Sequence, residues 1–155
     1  MASEVFARGD VLANRGTPLI DSGNDLASNN VGGQKIFLPF GRLNVTTNLT
    51  AVVVPPLGGN ATLTEVLMDR PGSIIGLAVR ANAAITVGSM TLFATLDGTT
   101  KMTATLNTTD QATTVNQVKD TDAFSALGRI GVKITSATDL SPATTDIIVS
   151  VVCEI

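Results

Sequence analysis

Apolar side chains alternate with polar ones in short runs, and this two-residue period is what most constrains the fold. Between Met102 and Leu106 every second residue is apolar and the others are threonine. The segment from Ile130 to Ile134 repeats the pattern. Such alternation predicts strands with one buried face. Asp97-Gly98, just before the first run, is typical of a two-residue hairpin turn, so the chain is predicted to be antiparallel β-structure.

Eight segments are predicted to be strands, and helix signals are nearly absent. Pro39 favours an edge position for the first of them. The last nine residues are almost continuously apolar, which is typical of a central strand covered on both faces. Only Thr62–Met68 is also compatible with a helical turn. With the runs 35–40, 49–54, 73–80 and 90–96 added, the pattern predicts an all-β fold, an antiparallel β-sandwich of jelly-roll type.

The first 34 residues have a different texture from the rest. Glycine, proline, asparagine and serine surround short apolar islands, and no period of 2 or 3.6 is sustained. We therefore predict an extended N-terminal arm over residues 1–34 and a sandwich domain over residues 35–155. The arm's apolar side chains are expected to lie against another surface, either the chain's own sandwich or another protein. They are Val5, Phe6, Val11, Leu12, Leu19 and Ile20.

Charge and hydropathy exclude several partners. Ten basic residues are scattered among 13 acidic ones, for a net charge of −3. Phosphate binding needs clustered lysine and arginine, so no nucleic-acid partner is expected. No run approaches the roughly 18 apolar residues of a membrane-spanning helix, and the N-terminus is too charged for a signal peptide. We therefore expect synthesis in the cytoplasm, and we expect no association with a membrane.

Catalytic and metal-binding patterns are missing from the sequence. The chain has no histidine, which removes the usual activation of serine and cysteine nucleophiles and most transition-metal sites. Asp120 and Asp122 are interpreted as a solvated turn, because a calcium loop needs further oxygen ligands at fixed spacing. The single Cys153 is interpreted as a small buried strand residue. No enzyme activity, cofactor or metal is predicted.

Five segments resemble β-sandwich domains of bacteriophage virion proteins, including tail-fibre, head-fibre and capsid-decoration proteins. In these domains a strand pair with a glycine-containing turn precedes a Gly-x-Arg-Ile-Gly-Val-like strand, a Pro-Thr-Thr-x-Asp-like loop and a terminal strand. The segments cover much of residues 70–155. They are Pro71–Val79, Val87–Leu92, Leu106–Thr109, Ala126–Ile134 and Ser141–Ile147.

The resemblance implies a structural virion protein, and two functions follow from it. The first is a capsid decoration or cement protein on the outer capsid surface, a homotrimer that binds the major capsid protein, with the arm's apolar residues contacting the capsid or neighbouring subunits. The alternative is a fibre or tail-tip module that binds a host surface glycan or protein. A stand-alone major capsid protein is a further possibility, although 155 residues is short for one.

Overall fold

A computed structural model describes residues 33–58 and 62–155, and this part of the chain contains strands and no helix. The predicted arm lies outside the described residues, apart from Gly33 and Gln34. The ten strands are β1 (Lys35–Thr46), β2 (Val52–Val54), β3 (Glu65–Leu67), β4 (Gly72–Ala81), β5 (Met90–Leu96), β6 (Thr99–Leu106), β7 (Ala112–Asn116), β8 (Asp122–Phe124), β9 (Arg129–Ser136) and β10 (Thr144–Glu154).

The strands form two five-stranded antiparallel sheets, as expected of a β-sandwich. The first sheet has the order β1-β10-β4-β7, and β8 also pairs with β4. The second sheet has the order β2-β9-β5-β6, and β3 also pairs with β9. Every pairing in both sheets is antiparallel. The predicted all-β antiparallel sandwich is therefore confirmed.

Alternating apolar residues fill the space between the sheets. In β6, Met102, Ala104 and Leu106 are buried, as the sequence pattern predicts. The hairpin between β5 and β6 turns at Asp97-Gly98, where both residues have positive φ (49° and 79°). The largest fully buried side chains are Phe40, Ile74, Leu77, Ile85, Met90, Leu92, Leu106, Ile130 and Ile134.

Three local expectations differ from the structure. The strand predicted from residue 49 begins only at Val52, because Ala51 has a φ of 49° and its N–H donates to Thr135 Oγ1. The helical alternative for Thr62–Met68 is wrong, since the strand β3 lies within this segment. The sequence also missed β7 and β8, which are short, with five and three residues.

The final strand is central, as predicted, but only one of its faces is covered by the described residues. β10 lies between β1 and β4, and Ile147, Val149 and Val151 are buried against the second sheet. Ile148, on the opposite face, is 60% exposed. The expectation of two covered faces is therefore corrected for the described part of the chain. The apolar outward residues make the strand resemble one that is buried on both sides.

Candidate interaction surface

The twelve outward residues in the middle of the first sheet, here called the outer face, are nearly free of charge, whereas the outward row beside them pairs Lys35 with Glu154. Strand pairing places twelve outward residues of β1, β10, β4 and β7 in three rows. Arg80 is the only charged residue among these twelve. The rows are Phe37-Val152-Gly76-Asn116, Pro39-Ser150-Ala78-Thr114 and Gly41-Ile148-Arg80-Ala112.

Large apolar side chains on the outer face project beside very small residues. Phe37 is 65% exposed and Ile148 is 60% exposed. Gly41 lies next to Ile148, and Gly76 lies next to Val152. Neighbouring side chains fill the space beside both glycines, Leu57 at Gly41 and Val152 with Asn116 at Gly76. Contiguous exposed apolar surface of this sort marks interaction sites in soluble proteins.

The outward surface of the second sheet is polar in contrast. Thr135, Thr91 and Thr105 form one row across β9, β5 and β6, and the hydroxyls of Thr91 and Thr105 are hydrogen-bonded at 3.2 Å. Lys133 and Thr103 lie in the next row, on either side of Phe93. Such hydroxyl and ammonium groups are readily hydrated. The two sides of the sandwich therefore differ in chemistry.

The segment after β2 adds a further apolar side chain to the outer face. The Gly41 N–H donates to the Pro55 carbonyl at 3.0 Å, and the Leu57 N–H donates to the Pro39 carbonyl at 3.0 Å. These two bonds bring Leu57 over Gly41, so that a Cβ atom at Gly41 would lie 2.5 Å from Leu57 Cδ2. The Leu57 side chain therefore occupies the space that a side chain at Gly41 would take.

An apolar groove of about 400 Å³ lies at this end of the outer face. A β-bulge in β1 between Arg42 and Val45 exposes Leu43 beside it. The bulge is fixed where the Asn44 N–H donates to Asp146 Oδ1 at 2.8 Å. The groove is lined by Gly41, Arg42, Leu43, Leu57, Arg80, Ala81, Asn82, Asp146, Ile147 and Ile148.

Two guanidinium groups and one carboxylate line this groove. Arg80 is exposed and makes no ion pair within residues 33–58 and 62–155. Arg42 donates from Nη1 to the Val53 carbonyl at 3.0 Å, whereas its buried Nε has no acceptor among the described residues. Asp146 is already engaged by the bulge. The lining therefore carries a net charge of +1.

A second, smaller apolar patch lies at the end of the second sheet. Leu67 and Leu63 line a depression beside Arg129 and are 59% and 61% exposed. Leu127 is 68% exposed and has a φ of 71°, a strained conformation for leucine. Arg129 is paired there with Glu65 at 3.5 Å and with Asp97 at 3.3 Å. Its charge is balanced, so this patch lacks the unpaired cation found at the groove.

The residues singled out for chemistry have structural partners. Asp122 is the first residue of β8, lies 3.4 Å from Lys101 Nζ and accepts from Gln117 Nε2 at 2.8 Å, so its interpretation as a solvated turn residue is wrong. In the part of the chain that is described, no three metal-ligating side chains cluster. Burial raises the pKa of the Cys153 thiol to about 12, so it lacks the thiolate character of a nucleophile.

The predicted contact residues of the arm lie outside the described residues. They are Val5, Phe6, Val11, Leu12, Leu19 and Ile20. The outer face and its groove were missed from the sequence. The usable signal was present in β10, where apolar residues occupy both sides of the strand. No helix capable of crossing a membrane occurs in the described segments.

Comparison with known proteins adds no relative. No protein-family model matches the chain, and no curated protein matches it in sequence. The class of protein defined by its fold is an antiparallel β-sandwich with one apolar and one polar outward surface.

Proposed function

We propose that the chain is a structural protein of a virus particle, a capsid decoration or cement protein that assembles through its outer face. The observation that carries the proposal is the outer face itself, where one of twelve outward residues is charged. Subunit interfaces are depleted of charge at their centres and enriched in apolar area.

The strand order supports the jelly-roll assignment. β1 pairs with β10, β2 with β9, β4 with β7 and β5 with β6, so the chain is folded like a long hairpin. The pairs alternate between the two sheets along this hairpin. β3 and β8 extend the positions of β2 and β7 beside β9 and β4. We infer that the sandwich is a jelly roll, an architecture used by viral capsid domains.

The segments that resemble phage virion domains fall on the framework of the sandwich. Pro71–Val79 includes most of β4, Ala126–Ile134 leads into β9, and Ser141–Ile147 leads into β10. The resemblance therefore concerns elements that build both sheets. It supports a virion role more than it distinguishes one part of the particle from another.

In this proposal a homotrimer sits on the outer capsid surface. Copies contact one another through the outer face, and the assembled protein binds the major capsid protein. Each copy adds binding free energy that is present only in the assembled shell, so the shell is stabilised by the sum over many copies. Synthesis in the host cytoplasm precedes this assembly.

Imaging of intact particles with a gold-labelled antibody against the chain tests the proposal. We expect label spread regularly over the head. Particles grown without the chain are the control and should carry no label. Label confined to the tail tip would overturn the cement role in favour of the fibre module that binds a host surface. No label on any particle would overturn the virion assignment.

A further inference from the structure

The apolar groove contains exposed apolar side chains and a guanidinium group that have no partner among the described residues. Leu43, Leu57 and Ile148 line it and are 74%, 51% and 60% exposed. Arg80 has no ion-pair partner there, and Nε of Arg42 has no acceptor.

This combination selects the chemistry of the occupant. Apolar side chains of an occupant would pack against the apolar lining of the groove. A carboxylate next to them in the occupant would meet the guanidinium of Arg80, and such pairs form strong charge-assisted hydrogen bonds. The carboxylate of Asp146 is already bound to the backbone of the bulge and does not neutralise both arginines. The groove therefore fits a short extended segment in which apolar residues adjoin an acidic one.

The first 32 residues of the chain contain this pattern three times. Each pair of large apolar residues in this stretch adjoins a carboxylate on one side. The basic residues there, Arg8 and Arg15, do not adjoin any of these pairs. The three segments are Glu4-Val5-Phe6, Asp10-Val11-Leu12 and Leu19-Ile20-Asp21.

We propose that the apolar groove of one copy binds one of these acid-flanked pairs from a second copy. The inference deepens the proposed function and rests on its self-assembly, because it names the groove as the place where copies are joined. Twelve residues lie between Ile20 and Gly33, and the distance between the two Cα atoms is at most about 45 Å when the chain is extended. A domain of this size has a radius of gyration of about 14 Å, so a neighbouring groove is within reach.

Disulfide trapping between two full-length variants tests the proposal. One protein carries Leu57→Cys in the groove, and its partner carries Phe6→Cys, Leu12→Cys or Ile20→Cys. Each chain has one added thiol, so any link between unlike proteins joins two copies. The native Cys153 is fully buried and does not compete. We expect one arm variant to form the mixed disulfide at least tenfold faster than the others.

The matched control replaces Leu57→Cys with Thr103→Cys, which places the thiol on the polar side of the sandwich. This protein should link to no arm variant above the background of random collision. Equal linking by both proteins, or linking by neither, would overturn the proposal. Regular head labelling together with absent linking would overturn this inference alone and leave the proposed function standing.

Charge reversal tests the role of Arg80. Arg80→Glu should slow the trapped link at least tenfold, because two carboxylates would then face each other. Replacing the acidic neighbour of the linked pair by lysine should restore the rate. Asn29→Asp with Asn30→Asp adds two charges to the same part of the chain away from the pairs and should change nothing. An unchanged rate in Arg80→Glu would overturn the assignment of Arg80 as the partner of the carboxylate.

Discussion

The Cδ2 atom of Leu57 occupies the space that a side chain at Gly41 would need, at 2.5 Å from a Cβ placed there. Gly41→Ala therefore forces Leu57 to move. Leu57 is half exposed, so its side chain can turn away at little cost, and we expect the unfolding free energy to change by less than about 1 kcal/mol. The groove is altered, so self-association should weaken, which sedimentation velocity over a dilution series measures.

The matched control for this change is Gly72→Ala at the start of β4. A Cβ atom there would meet the backbone carbonyl oxygen of Glu154 and would lie 2.8 Å from Cγ2 of Ile155. A backbone atom cannot turn away, and overpacking of this kind costs about 1–3 kcal/mol. Urea unfolding should show the loss in Gly72→Ala and not in Gly41→Ala. Equal losses would contradict the account of Leu57 as a movable cover.

The hydroxyl of Ser136 joins the end of β9 to the segment before β2. It donates to the Thr46 carbonyl at 2.7 Å and accepts from the Leu49 N–H at 2.9 Å. Ser136→Ala leaves both backbone groups without this partner, and we expect a loss of about 1–3 kcal/mol in urea unfolding. Ser150→Ala on the outer face should stay within about 0.5 kcal/mol. A silent Ser136→Ala would show that water replaces the hydroxyl.

The β5–β6 hairpin depends on the backbone conformation of Asp97. Its φ of 49° suits asparagine or aspartate and is strained for a β-branched residue. Asp97→Val should therefore lower the unfolding free energy by about 1–2 kcal/mol. Asp97→Asn keeps the turn and loses only the exposed ion pair with Arg129, which is worth about 0.2–1 kcal/mol. Similar losses in both variants would assign the effect to the ion pair instead.

Cys153 makes stability depend on pH in the alkaline range. Burial raises the pKa of its thiol from 9.0 to about 12 in the folded protein, so between these values the unfolded state binds fewer protons than the folded state. The stability that this group contributes is complete below pH 9 and is lost as pH rises toward 12. Urea unfolding from pH 8 to 10.5 should show a steeper decline than in Cys153→Ala. Parallel profiles would contradict the raised pKa.

The sequence predicted those parts of the fold that alternation and turn residues specify. Strands β6 and β9 follow from the alternation of apolar and polar residues, and the hairpin between β5 and β6 follows from Asp97-Gly98. β7 was missed because Ala112–Asn116 is held by pairing with β4 rather than by its own pattern. Strand β2 is shorter than predicted because long-range bonds from Ser136 and Thr135 hold residues 49–51 outside the sheet.

The interaction surface was beyond sequence reasoning for a different reason. Gly41, Ile148 and Arg80 are neighbours only because β1, β10 and β4 pair in this register. Leu57 joins them through the bonds that follow β2. No local pattern gives strand order. The sequence did indicate that a second face of β10 is covered, because a strand that is apolar on both sides predicts two buried faces. The described residues cover only one of them.

Two adjacent residues of β10 separate assembly from folding. Ile148 projects from the outer face and is 60% exposed, whereas Val149 is fully buried between the sheets. Ile148→Glu leaves the new carboxylate hydrated and beside Arg80, so the dilute protein should unfold within about 0.5 kcal/mol of the parent. Its self-association should fall at least tenfold in sedimentation velocity, because an ionised group would have to be buried in the contact.

Val149→Glu places the same carboxylate in the core, where it has no partner. A charge without compensation in that environment is strongly unfavourable, and we expect this variant to be largely unfolded by circular dichroism. Comparing Ile148→Glu with Val149→Glu tests whether the outer face is a contact between copies. If Ile148→Glu associates as the parent does, the apolar side of β10 is not a contact between copies, and the fold must supply the subunit interface elsewhere. If association is lost while folding is kept, the second apolar side of the strand belongs to the assembly, since the isolated sandwich has no need of it.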